Sequence, residues 1–162
     1  MSTHELIDMY IAAEMAASVF LKGSYVREKI IIPNTPYHRN FFGHPINFRD
    51  HIEIAAASPA DDPMQFVRVV EEVASYLHAG LTDDDVTFGK QDMLLNLDAL
   101  QSNVLGVATS ALVSTKLTRH PDNFSQYLAR LESITTSEIN ALIPQLMKPE
   151  ALTYTLMVPE VG

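Results

Sequence analysis

The residues best equipped for chemistry lie in the first third of the chain. His4 and Glu5 begin a pattern like the zinc-peptidase His-Glu-x-x-His, in which two imidazoles stand one helical turn apart. The second histidine position holds Asp8, so His4 and Glu5 read better as part of a helix start. His38, His44 and His51 fall near a turn-rich stretch and could gather around zinc. Their intervals match no known ligand pattern, and exposed or core-satisfied histidines are the better account. Arg27 and Arg39 have the planar fork that grips a carboxylate through two hydrogen bonds. From spacing alone an ordinary ion pair with Glu28, Asp50 or Glu53 is the better account of them. No acid, base and nucleophile stand together in the sequence, so nothing names a reaction unaided.

Composition narrows the classes. A chain of 162 residues with 47% hydrophobic content suits one domain, residues 1–162, with a real core. The net charge of −9 disfavours nucleic acid as a partner, because phosphate binding needs a basic patch. With no cysteine there is no disulfide, thiolate site or Cys-bound zinc. Residues 1–21 lack a basic start and are interrupted by Glu5, Asp8 and Glu14, so they read as neither signal peptide nor membrane span. No membrane partner is expected. These features favour cytoplasm or an organellar matrix and do not fix the compartment.

The clearest elements lie between Ser58 and Leu117. Asp62 can cap a helix, with Pro63 at its first position and Gln65 three residues after the cap. Phe66, Val67, Val70, Val73, Ala74 and Leu77 make its apolar face, and Gly80 ends it. Thr82 caps the next helix, followed by Asp83, Asp84 and Asp85 at the positive end of the helix dipole. Val86, Met93, Leu97, Leu100 and Val104 form its inner side. Earlier, Ser2-x-x-Glu5 is a capping box opening a helix that Gly23 closes, with Ala12, Ala13, Ala16 and Ala17 allowing close approach of another backbone. Later, Phe124 to Ile134 reads as a helical face, and Thr135-x-x-Glu138 opens a short helix through Leu146.

The strands are expected elsewhere. Ile30 to Ile32 is a β-branched run. Tyr37 to Phe42 reads as a strand, Gly43-His44-Pro45 as a turn, and His51 to Ala57 as a further strand. Leu152 to Val158 alternates with a period of two and predicts a final strand. The expected class is α+β: an antiparallel or mixed β-sheet with helices packed on one face.

This order of elements resembles the pitrilysin/insulinase family of metallopeptidases, specifically the second half of one of its domains in the presequence-protease branch. The segments carrying the resemblance are GSYVREKI from Gly23, AASPADDPMQFVRVVEEVASYL, GLTDDDVTFGKQDMLLNLDALQS and LESITTSEINALIPQLMKPEALTYTLMVPE. It covers roughly Glu14 to Glu160 and is one of pattern order. The family's His-x-x-Glu-His zinc helix is absent from this sequence. The resemblance therefore implies a non-catalytic half-domain without activity of its own. It implies peptide as substrate, a catalytic pitrilysin-like domain or subunit as partner in a homo- or hetero-oligomer, and zinc on that partner or a missing segment, with no cofactor here. In similar non-catalytic domains an Arg and a Tyr hold the peptide. By position Arg27 and Tyr37 are the counterparts, although Pro33-Asn34-Thr35-Pro36 stands where the family has glycines, and the Arg-to-Tyr interval is longer. The other expectation is a structural assembly subunit without a ligand, with the apolar first helix as its association surface.

Overall fold

The computed structural model describes residues 2–34, 42–47, 52–57, 62–102, 106–108 and 124–147. Helix α1 (Thr3–Lys22) starts on the capping box expected for it. The Ser2 hydroxyl accepts from the Glu5 amide at 3.3 Å, and the Glu5 carboxylate accepts from the Ser2 amide at 2.6 Å. Beyond its first turns, α1 is buried nearly all round. Ile7, Ile11, Met15 and Val19 lie on one side and Ala13, Ala17 and Phe20 extend the burial to others. A helix apolar on every side belongs inside a protein. It is the hub of the molecule, contacting the β-ribbon and four other long helices described below. Most of its apolar residues are buried within the chain, which leaves little of the helix for the association surface expected of it; Leu6 in its first turns stays exposed.

A π-helical turn (Val26–Ile31) and a single turn, α2 (Ile32–Asn34), follow α1. The β-branched run Ile30 to Ile32 is thus helical, with Ile30 and Ile31 buried in the core. Intrinsic β preference is a weak prior that burial against neighbouring helices overrides.

Helix α3 (Pro63–Ala79) is capped by Asp62, which accepts from the Met64 amide at 2.9 Å, with Pro63 in the first turn. Gln65 does not complete a capping box. Its side-chain amide instead donates to the Asn34 carbonyl at 2.6 Å, tying α2 to α3. Gly80 closes α3 at φ 114°, a conformation that favours glycine. Asn140 then clamps the loop, accepting from the Leu81 amide at 2.8 Å and donating to the Leu81 carbonyl at 2.9 Å.

Helix α4 (Asp83–Gln101) lies against α1. A Cβ added at Gly89 would come within 2.6 Å of Met15 Cγ, so glycine lets the two helices approach closely there. Asp92 fastens the contact, accepting from Ser18 Oγ at 2.7 Å and pairing with Lys22 Nζ at 2.9 Å. A helical turn at residues 106–108 (α5) follows. Helix α6 (Phe124–Ser133) and helix α7 (Thr136–Leu146) complete the described core, burying Tyr127, Leu131, Ile134, Ile139 and Ile143. Thr135 and Glu138 form the capping box read from the sequence.

Strand β1 (Phe42–Asn47) and strand β2 (Ile52–Ala57) pair antiparallel as a two-stranded ribbon, from Phe42 opposite Ala57 to Asn47 opposite Ile52. Gly43-His44-Pro45 is therefore inside a strand and makes no turn; in a ribbon with free edges a proline is tolerated. The expected α+β class is corrected. Among the described residues the architecture is helix on helix, and the core cluster is drawn from helices and the loops joining them. Among the described residues the only strands form this two-stranded ribbon beside α1, and no larger sheet underlies the helices. The expected final strand, Leu152 to Val158, lies outside the described residues.

Candidate functional site

Arg27 sits in the π-helical turn that leaves α1. Its amide donates to the Gly23 carbonyl at 2.8 Å, and its carbonyl accepts from the Ile32 amide, the wide spacing of a π-turn. Such turns are rare and recur at functional sites. The turn is held from both sides. Val26, Ile30 and Ile31 are buried beneath it, and the Asn34 side chain donates to the Ile30 carbonyl at 2.9 Å. Arg27 itself is half-buried. Among the described residues no hydrogen bond or ion pair engages its guanidinium, and the neighbouring Glu28 is exposed without pairing to it.

Tyr37, the expected partner of Arg27, lies outside the described residues, as do Arg39, His38 and His51. His44 belongs to β1, opposite Ala55. Among the described residues no three metal-ligating side chains come together. His4 is exposed, beside a Glu5 whose carboxyl is held below its ordinary range by the Ser2 amide and hydroxyl. Asp8, in the position of the missing second histidine, is engaged by Arg130. That pattern is helix capping and an ion pair.

Beside the Arg27 turn lies a group the sequence did not suggest. The Tyr25 ring stacks on Tyr76, with centroids 4.7 Å apart and planes at 15°. The Tyr76 hydroxyl donates to Asp85 Oδ2, which also accepts from the Thr82 hydroxyl at 2.7 Å and the Thr82 amide at 3.0 Å. Burial, and then the hydrogen bond to Asp85, push the Tyr76 hydroxyl well above its ordinary range. It stays a neutral donor there. Asp85 completes a capping box with Thr82. The sequence showed Asp83, Asp84 and Asp85 as charges on the helix dipole; the Thr-x-x-Asp spacing was the available sign that Asp85 turns back. Nothing local links Tyr25 to Tyr76.

The arrangement can hold and orient a ligand through a cation, stacked rings and carboxylates. Among the described residues no helix is long and apolar enough to cross a membrane. No family model matches the chain, and no characterised protein matches it.

Proposed function

We propose that the chain is a non-catalytic, peptide-holding domain of a pitrilysin-like zinc metallopeptidase, closing the chamber around an extended peptide while zinc chemistry takes place on another domain or subunit. The observation that carries this reading is Arg27: a partly buried residue in a π-turn whose guanidinium is unpaired among the described residues. An ion pair with Glu28, the simplest structural role for it, is not made. A carboxylate or carbonyl of a peptide accepts its two parallel N–H bonds. Tyr37 is the second residue assigned to this hold, as a hydroxyl donor to a peptide carbonyl. A metal-bound water activated by a glutamate on the partner would perform hydrolysis. This chain's residues bind and orient.

The sequence resemblance at the Arg-bearing turn and at the capped helix starts supports the same reading. The test is fluorescence polarisation with an extended peptide bearing a free C-terminal carboxylate. Arg27→Ala is expected to weaken binding about tenfold or more, the usual worth of a charge-assisted hydrogen bond. Equal binding by both forms would remove Arg27 from the site.

A second reading, an assembly subunit without a ligand, is favoured by Leu95, which stands 69% exposed beside Leu94 on α4. Absence of peptide binding by either form, with a stable oligomer in light scattering, would put that reading first.

A further inference from the structure

The stacked tyrosines form one wall of a hollow of about 290 Å³ between the end of α1, the end of α3 and the start of α4. Ser24, Tyr25, Tyr76, Phe88, Asp84 and Asp85 line it, together with Thr82. Three aromatic rings and two carboxylates converge there, and among the described residues no lysine or arginine lines it. Tyr25 is 50% exposed and so presents ring surface to an incoming group. Asp83 is turned away, accepting from the Thr136 hydroxyl. Asp84 is exposed and, among the described residues, neither hydrogen-bonded nor ion-paired.

Asp85 supplies the independent sign of a ligand. It is only 6% exposed, yet its hydrogen bonds all fall on Oδ2. Among the described residues Oδ1 accepts none. Asp85 lines the hollow, so Oδ1 can accept from a donor that enters it. Aromatic faces favour a positively charged donor over a neutral one.

We propose that this hollow is a subsite for a cationic group on an aliphatic stem, the side chain of a lysine or arginine in the bound peptide. The stem lies along Phe88 and the Tyr25 ring, and the charged head reaches Asp84 and Asp85. An anion is disfavoured despite the helix start, because three aspartates offset the dipole. The peptide part of this assignment rests on the peptide-holding reading above; the cation site does not.

The experiment is an NMR titration of the tyrosine ring signals with n-butylammonium, with 1-butanol as the neutral control. Tyr25 and Tyr76 are expected to shift and saturate with the ammonium and to move far less with the alcohol. Asp84→Asn and Tyr25→Leu, both at exposed positions, are each expected to weaken the response about two- to fivefold. Absent shifts, equal shifts with butanol, or an unaffected Asp84→Asn protein would overturn the cation site. A second titration compares a lysine-containing peptide with its norleucine counterpart. Preference for lysine, lost in Asp84→Asn, supports the whole proposal. Equal binding of the two peptides overturns the side-chain assignment. Ammonium shifts without any peptide binding support the cation site and overturn the peptide-holding reading.

Discussion

The start of α1 and the segments beyond its end treat charge differently, although Lys22 at that end pairs with Asp92. Near the start, Glu5, Asp8, Arg130 and Glu138 all find partners. Arg130 donates from Nε to Asp8 Oδ1 at 2.6 Å and from Nη2 to Asp8 Oδ2 at 3.1 Å, and Nη2 also reaches Glu138 at 2.9 Å. Glu138 in turn accepts from the Thr135 amide and hydroxyl at 2.8 and 2.7 Å. Three helices are fastened by one guanidinium that is only 17% exposed. Beyond the other end, Arg27, Asp84 and one oxygen of Asp85 have no partner among the described residues. The first arrangement uses charge to specify which helices meet. The second carries charged groups that no described residue engages.

The largest expected effect tests whether the two ends share one structure. Ile11 is fully buried in the middle of α1, between them. Ile11→Ala should cost about 3 kcal/mol through lost burial and the cavity left behind. Urea unfolding followed by far-ultraviolet circular dichroism and by tyrosine fluorescence should give coincident, equally shifted transitions. Separate transitions would mean that the ends are independently stable units, and the contrast between them would lose its common frame.

The next effect addresses the contrast itself. Arg130→Met should cost about 1–2 kcal/mol, since it removes a charge-assisted fork and leaves Asp8 partly buried without its cation; residual solvent access keeps the figure below that of a fully buried pair. Arg27→Met should change stability by no more than about 0.5 kcal/mol, because no partner among the described residues is lost. Comparable losses in chemical denaturation would show that Arg27 is structural after all.

What was legible in the sequence was what lies within one helical turn. Ser2 with Glu5, Thr82 at the head of α4, Thr135 with Glu138, Pro63 after Asp62 and the break at Gly80 each act through neighbours three or four residues away, so residue type and spacing specify them. What was not legible depends on distant contacts. Ile30 to Ile32 reads as strand until the helices that bury it are known. Gln65 fits a capping box but bonds to Asn34, and the Gly43-His44-Pro45 turn signal gives way to pairing with Ala56, Ala55 and Ile54. The candidate site divides the same way. Arg27 could be named from its side-chain chemistry and the resemblance, whereas the stack of Tyr25 on Tyr76 exists only because α3 packs beside the turn.

The smallest expected effect is the acid response of the paired end. The Glu138 carboxyl is lowered to about 2 from an ordinary value of 4.5, first by the Thr135 amide, next by the Thr135 hydroxyl, and then by Arg130. A carboxyl whose folded-state value is depressed adds stability above its unfolded value, and that contribution is lost as pH falls from about 4.5 towards 2. Urea midpoints measured between neutral pH and pH 2 should therefore decline over that window. Glu138→Gln should make the decline shallower without abolishing it, since Glu5 is depressed in the same direction by its own cap. Arg130→Met should also make it shallower, but less, because the two Thr135 bonds remain. If Arg130→Met flattened the acid response more than Glu138→Gln, the guanidinium would be the main source of Glu138's low value. The charge pair would then outweigh the helix cap in holding α6 and α7 to the start of α1.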